Sequence, residues 1–459
     1  MSPAEAEPPR AAPRCSLAGW GGVSAPGCEV RSEDLAAVTR GAALTRGLGR
    51  AYGDAALPPP GVERVAGSRL ADRILAFDPE SGRLRAEAGL SLRALHRSTM
   101  PRGFFAPVSP GTEEVTLGGM VAADVHGKNH HVAGTFGRHV EELLLRVGDG
   151  RIVRCSPHEE AELFWATVGG MGLTGHVLEV TFRLDRIPSP WILCETLRFP
   201  RLVPLVQALR EASTQWPFTV AWIDCLAGGD ALGRGVLQRG RWCGRDEAPA
   251  APPRERFTLP VPFHAPSWLL NRGTATLFND FFYATGFPGR RVVHPGQFFY
   301  PLDRVRDWSR LYGRRGMTQH QCVLPLAGAD EVAAFLASVR RAGGRPYLAV
   351  LKDFGAEGSG LLSFPRPGLT LALDFAVDAS TPALVAALNR HVRELGGRVY
   401  LAKDAFSTAS DFAALEGERL ARFQQVRRKW DPEGRIRSRL STRLFGDAPA
   451  AMVSRGAAA

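Results

Sequence analysis

Only four of the chain's 57 basic residues are lysines: Lys128, Lys352, Lys403 and Lys429. The rest are arginines, which replace lysine on a solvated face but not where a compact, titratable ammonium is needed. The four lysines are therefore candidate sites, set against the bland alternative that each survived a compositional drift by accident. A second concentration of chemistry is Asp124-Val125-His126-Gly127-Lys128-Asn129-His130-His131, with three imidazoles, a lysine, an amide and a carboxylate. It lacks H-E-x-x-H spacing and has no clustered carboxylates nearby, so we expect no metal, and a satisfied core histidine is the default for each imidazole. Glycine-bearing stretches flank this cluster. Arg46–Asp54 (RGLGRAYGD), and Pro110-Gly111-Thr112 followed by Leu117-Gly118-Gly119, offer backbone amides unobstructed by side chains, as phosphate-binding loops do. Gly170–Gly175 (GMGLTG) satisfies G-x-G-x-x-G, but a helix precedes it and a strand follows. That is the reverse of the dinucleotide fingerprint, so we read it as a tight loop under a cofactor or a plain turn.

The elements that must position these residues alternate along the chain. Ile74–Gly89 reads as two short strands about a turn, and Ser91 opens a helix that ends before Gly103. Residues 139–155 read as strands about a Gly-Asp-Gly turn, Ser156-Pro157 as the start of a helix through ELFWATV, and HVLEVTFRL as a strand. Residues 321–403 read as two β-α-β units of similar wording. Each ends in a strand with a lysine near its end, which puts Lys352 and Lys403 in comparable places. Pro-rich residues 247–267 read as a surface loop, and 413–445 as a basic helical region.

At 459 residues the chain exceeds a single hydrophobic core, and 45% apolar with 22% charged residues is a globular composition, not a disordered one. No run of eighteen apolar residues occurs and the N-terminus lacks a secretory pattern, so we expect neither a spanning helix nor classical export. Seven scattered cysteines without a C-x-x-C pair signal neither a disulfide framework nor zinc, and point to a reducing cytoplasm. The net charge of +11 is dispersed with no nucleic-acid reader motif, so we expect no nucleic-acid partner.

RGLGRAYGDAAL, PGTEEVTLGGMVAADVHGKNHH and AELFWATVGGMGLTGHVLEVTFRL, in that order, resemble the FAD-binding domain of vanillyl-alcohol-oxidase-type flavoproteins. More narrowly, the chain is similar to the flavin oxidases of decaprenylphosphoryl-ribose epimerisation. The likeness continues through FFYPLDRVRDWSRLYG, TQHQCVLPL, VLKDFG, LLSFPRPG, GGRVYLAKDAF and VRRKWDPEGR, nearly all of residues 40–445. It implies a two-domain α+β fold in which an FAD domain, 16–187 with a return at 398–446, encloses an antiparallel-sheet substrate domain at 188–397. Residues 1–15 and 447–459 are expected to be disordered tails. The resemblance places FAD against Gly47, Leu48, Gly49, Arg50, Ala51, Tyr52, Gly53 and Asp54, and against Pro110, Gly111, Thr112, Thr116, Gly118 and Gly119. It adds Ala122, Asp124, His126, Gly127 and Asn129 along the isoalloxazine, Gly172 and Val177 toward the adenosine, and Tyr400. Many relatives attach the flavin to a histidine in the first loop; Tyr52 stands there in this chain, so the resemblance implies non-covalent FAD. The substrate residues it implies are Lys128, Tyr300, Gln319, Gln321, Lys352, Ala372 and Lys403, with Ala372 standing where the mycobacterial branch has cysteine.

The implied activity is oxidation of a secondary CH–OH of a sugar, C2 of a polyprenylphosphoryl pentose, to a 2-keto product in cell-wall arabinan assembly. A separate NAD(P)H-dependent ketoreductase would complete the epimerisation. The alternative is an oxygen-using oxidase of free alditols or aldonolactones. A desolvated lysine can approach general-base range near neutral pH, so Lys403 is the expected catalytic residue, with His126 as second candidate and Tyr52 beside them. We expect Gly49→Val or Gly118→Val to give a folded but colourless protein. A lipid substrate implies a cytoplasmic chain or one peripheral at the inner membrane. Arg422, Arg427, Arg428, Lys429, Arg435 and Arg437 could then meet anionic headgroups, a solvated helix face being the alternative.

Overall fold

The computed structural model describes residues 15–253, 258–266, 269, 271–325 and 328–447. The expected tails at 1–15 and 447–459 lie outside it apart from their inner ends. Asp447 is anchored there, accepting 2.8 and 2.6 Å hydrogen bonds from the Arg427 guanidinium.

Two small sheets come first. Strands β1 (Cys28–Arg31), β2 (Thr45–Arg46) and β3 (Arg64–Gly67) form a parallel sheet in the order β1-β3-β2. Next come β4 (Ile74–Phe77), β5 (Arg83–Glu87), β6 (Val140–Arg146), β7 (Ile152–Cys155) and β8 (His176–Arg183), an antiparallel sheet in the order β7-β6-β8-β5-β4. Buried Leu84, Leu143, Leu145, Val180 and Phe182 pack it against helices α1 (Leu117–Ala122) and α2 (Ala161–Thr167), in a core that the C-terminal helix α7, described below, also enters. The helix α2 starts at Ala161, because residues 156–159 close a turn through the Ser156 amide and the Glu159 carbonyl before the left-handed Glu160.

The large antiparallel sheet has eight strands: β9 (Ile192–Phe199), β10 (Phe218–Ile223), β11 (Gly235–Trp242), β12 (Gly289–Val293), β13 (Met317–Pro325), β14 (Leu348–Phe354), β15 (Gly368–Ala376) and β16 (Arg398–Val399). Helix α3 (Leu202–Gln215) joins β9 to β10, and α4 (Arg272–Thr285) lies between β11 and β12. Helices α5 (Ala329–Arg341) and α6 (Thr381–Glu394) connect β13 to β14 and β15 to β16. The strand order β12-β9-β11-β10-β14-β15-β13-β16 is a repeated motif: β-α-β-β-α-β in spatial order 4-1-3-2, then the same unit reversed, 2-3-1-4. The two halves meet across an antiparallel seam, Ala221 opposite Leu351 and Trp222 opposite Val350. The repeat expected within 321–403 is therefore the two arms of one unit, and its true duplicate is the preceding stretch, whose wording has diverged. Helices α3, α5 and α6 cover one face, where Phe335 of α5 and Leu388 of α6 share a core with Leu371 and Leu373 of the sheet. Finally α7 (Glu418–Trp430) and α8 (Arg439–Leu444) return to the first domain, where Phe423 and Leu440 are fully buried. This segregation of antiparallel sheets and helices is the expected α+β architecture.

Three expectations need correction. Cys15 and Cys28 are joined by a disulfide; the ribbon of Ser16–Ala18 against Ser24–Pro26 folds their ends together, a pairing invisible in the spacing. Lys403 is not on a strand: β16 stops at Val399, the Lys403 amide bonds back to the Tyr400 carbonyl, and Lys403 sits in a turn while Lys352 is inside β14. Arg427 does not face outward. It is buried and donates to the carbonyls of Leu173 and Ile436 as well as to Asp447.

Candidate active site

The loop after β2 is held from behind. Buried Arg46 donates to Glu29 at 2.8 Å and to the carbonyls of Ala56 and Ala18 at 2.8 and 2.7 Å. Gly49 crosses this guanidinium at φ +65°, where an added Cβ would come within 2.2 Å of Arg46 Nη2. Held this way, Leu48, Gly49, Arg50 and Ala51 point amides that donate to no protein acceptor among the described residues. Arg50 lies 4.2 Å over the Trp20 ring and lines the same cleft. The second glycine stretch is less open. The amides of Leu117 and Gly118 already bond the carbonyls of Leu90 and Ala88, and Gly119 bonds the Thr116 hydroxyl that caps α1. A Cβ on Gly118 would meet Ala88, whereas one on Gly111 would meet nothing within 4 Å.

The chemistry-bearing side chains reach the cleft from the pleat of three adjacent strands. Across β13, β15 and β14 the register sets Gln319–Asp374–Leu348 on one rung, Gln321–Ala372–Val350 on the next, and Thr370–Lys352 on a third. Side chains two residues apart share a face, which here is the cleft wall, while Leu371 and Leu373 face the helices. Gln321 donates to His126 Nε2 at 2.9 Å, so the imidazole carries its proton on Nδ1, which has no partner among the described residues. Phe354, Phe364 and Tyr400 enclose that ring at 4.9–5.6 Å. Burial, with Lys352, His130 and Lys403 nearby, pushes the His126 pKa well below the ordinary histidine value and keeps the ring neutral.

Lys403 arrives from the C-terminal segment. The Tyr52 amide bonds the Ala402 carbonyl at 2.9 Å, and Arg443 clamps Asp54 (2.8 and 2.7 Å) and Asp404 (2.9 Å) together. The Lys403 ammonium thereby lies 3.7 Å from the centre of the Tyr52 ring. Burial pulls its pKa down from the lysine value, opposed by the Asp374 charge. Burial moves the Asp374 carboxyl the other way, upward, opposed by the hydrogen bond from Gln319 and by Lys403. Burial likewise brings Lys352 down to about 8.

One continuous cleft is lined by Gly47 to Tyr52, Pro110 to Thr112, Thr116, Gly118, Gly119, Ala122, His126, Gly172, Val177 and Tyr400, and also by Gln319, Gln321, Lys352, Ala372 and Lys403. Seven other residues singled out in the sequence do not line it. Gly53 packs on the Asp404 carbonyl and Asp54 holds Arg443. Asp124 is buried, accepting from the Gly137 amide and from Ser363. Gly127 packs on the Ser109 backbone and Asn129 donates to the Pro107 carbonyl. The Lys128 ammonium donates to the Phe298 carbonyl, and burial lowers its pKa to about 7. The Tyr300 hydroxyl donates to Ser109 at 2.9 Å. These residues brace the wall from behind. Conversely, the cleft holds Trp20, Leu302, Asp303 and Trp308, which the motifs did not indicate. Asp374, which is buried behind the cleft wall and accepts from Gln319, was also missed, although alternation from Ala372 in LTLALDF would have placed it on that face.

A loop of unpartnered amides beside an arginine, an open backbone edge at Gly111 and a cleft shared with two lysines and a neutral imidazole fit FAD. Residues 33–156 match the model of an FAD binding domain. The chain is 33% identical to decaprenylphosphoryl-beta-D-ribose oxidase of Mycolicibacterium smegmatis over 93% of this chain and 97% of that protein. The chain belongs to this family of FAD-dependent oxidoreductases. An uncharacterized Streptomyces coelicolor protein is 32% identical over 77% of this chain and 100% of its own length. Bovine L-gulonolactone oxidase is 31% identical over a shorter stretch, 28% of this chain and 30% of that enzyme. The family's FAD-binding unit carries the Arg46–Asp54 loop and His126. The sheet that supplies Gln319, Gln321, Lys352 and Ala372 lies outside it, within the full-length match.

Proposed function

We propose that the chain oxidises a secondary CH–OH of a sugar, C2 of a polyprenylphosphoryl pentose, to the 2-keto product. The observation that carries this reading is the placement of Lys352 and Lys403 in the same cleft as the glycine loop and His126, within a chain matched along almost its whole length by decaprenylphosphoryl-beta-D-ribose oxidase. Bound FAD supplies the two-electron acceptor. The residues around it do the rest. Lys403 holds the proton leaving the hydroxyl, because its lowered pKa lets it be neutral when substrate arrives. The cationic form of Lys352 meets the phosphate of the substrate, and Gln319 and Gln321 offer amides to the sugar hydroxyls. Neutral His126, fixed by Gln321, is the weaker base of the two. Ala372, between Gln321 and Val350 in the register, leaves room above the middle strand. Tyr52 offers no nucleophilic nitrogen, and burial raises its pKa, so the cofactor is held without a covalent bond. Acid precipitation should release all yellow colour into the supernatant; colour kept by the pellet overturns that point.

The keto product needs a separate NAD(P)H-dependent ketoreductase to complete an epimerisation. The substrate is tested by anaerobic mixing of the yellow protein with a short-chain polyprenylphosphoryl-β-D-ribose, or with a free alditol or aldonolactone. The flavin band should bleach within seconds with the lipid phosphate alone. Bleaching by the lactone but not by the lipid phosphate transfers the assignment to the lactone oxidases.

A further inference from the structure

Helix α4 turns its apolar side away from its own protein. Inward it buries Ala275 and Asn279, the latter donating to Asp224 at 2.9 Å. Outward it presents Leu277 (69% exposed), Phe278 (48%) and Phe281 (66%), at spacings that share one stripe of a helix. A surface helix of a globular protein has the opposite polarity, apolar inward and polar outward. The inversion is not an unformed end, since Asn271 and Thr274 close a capping box at the N-terminus of α4. Phe287 (61% exposed) follows the helix, and Leu259 (61%) and Phe263 (69%) precede it. Leu259–Pro260 is paired with Val305–Arg306, and neighbours of that pair, Leu302 and Trp308, line the cleft. Leu259 is thereby tied to a stretch whose neighbours line the cleft.

Arginine outnumbers acid beside and after the helix. Arg234 holds Asp280 of α4 together with Asp224, and residues 289–315, which follow α4 in the chain, contain Arg290, Arg291, Arg304, Arg306, Arg310, Arg314 and Arg315 against Asp303 and Asp307, with Arg290 paired to Glu195 at 2.9 Å. Arg198 reaches α4 itself, with its guanidinium 5.3 Å from the Tyr283 ring. An apolar stripe bordered by arginine suits an anionic bilayer, whose acyl region takes the aromatic side chains while its headgroups take the charge.

We propose that α4 docks the enzyme on an anionic lipid bilayer, with Leu277, Phe278 and Phe281 entering the acyl boundary. This assigns membrane contact to the substrate domain instead of to the arginines of α7. The test is flotation of the FAD-loaded chain with phosphatidylcholine vesicles, with and without phosphatidylglycerol. The chain should float with the anionic vesicles. Leu277→Ser, Phe278→Ser and Phe281→Ser should each weaken this about tenfold, the cost of withdrawing one large side chain from lipid, while the flavin spectrum stays unchanged. A second measurement needs no loss of function: Phe281→Trp should gain emission that brominated lipids quench. Failure of the native chain to float, equal flotation of the serine variants, absence of quenching, or a native dimer that the serine variants convert to monomer each overturns the proposal. No substrate is present in these assays, so their failure leaves the proposed sugar oxidation standing, and the bleaching experiment can fail without affecting them.

Discussion

Lys403, in the cleft, and the buried Asp374 are electrostatically linked, each shifted by burial and pulled back in part by the other. Lys403→Ala should slow anaerobic flavin reduction by about 10²-fold or more, the usual weight of a positioned proton-handling group, and Lys403→Arg should recover little because a guanidinium does not deprotonate. FAD content should stay near that of the parent; an alanine variant of near-native speed would move the proton to His126. The pH profile separates the partner's role. A lysine base gives a rate that rises with pH, and a nearby carboxylate raises the pKa of that lysine, so Asp374→Asn should shift the rising limb to lower pH. An unmoved limb would leave Asp374 a purely structural residue. The glycines divide in the same way by what surrounds them. Gly118→Val would strike Ala88, and Gly49→Val would strain a left-handed backbone against Arg46, so both should lose fold along with colour, contrary to the expectation from sequence. Gly111→Val has open space and should fold yet bind FAD at least tenfold more weakly, measured by flavin retained on gel filtration; full retention would place the pyrophosphate elsewhere. Lysine scarcity pointed to Lys352 and Lys403 because composition isolates a residue type. It also pointed to Lys128, which the wall hides, because composition carries no direction.

Much of the first domain was legible at the level of elements because its signals are local. The Ser91 cap of the helix Leu92–Thr99, the turn between β4 and β5 and the strands about Asp149 all stand where periodicity put them. The active-site wall was less legible, since it depends on register between strands far apart in sequence, which alternation alone does not supply. Lys403 shows the difference. It looked like the end of a strand, but its place is fixed by a tertiary clamp, Arg443 between Asp54 and Asp404. Arg443→Ala leaves two nearly buried carboxylates without their cation and should cost about 3 kcal/mol or more of stability, read as a lowered denaturant midpoint at constant slope. Arg443→Lys should recover only part of this, because an ammonium cannot span both acids with the same geometry. A midpoint unchanged in Arg443→Ala would mean that the Tyr52–Ala402 backbone bond alone holds the turn.

Asp124 ties the FAD-binding unit to the large sheet, taking the Gly137 amide from within the former and the hydroxyl of Ser363, from the connection between β14 and β15. Burial raises this carboxyl to about 6 from an ordinary value of 3.8. A raised folded pKa means that its contribution to stability is fully present below about pH 4 and lost as pH climbs through 6. Asp124→Asn removes that titration and should flatten the loss between pH 4 and 7, worth about 1–3 kcal/mol; a mutant with the same slope as the parent would exonerate the residue. At the same scale, the duplicated sheet separates two trades. Every sheet side chain in the cleft comes from the second unit, β13 to β16 with its flanks, and none comes from β9 to β12. The first unit instead carries α4 and its outward aromatics. A chain assembled from two copies of one motif could leave one copy under the constraint of chemistry and release the other to change its surface. Across relatives, insertions and rewritten sequence should therefore gather between Ile192 and Val293, so that the same oxidation can be carried to different places in a cell without touching the residues that perform it.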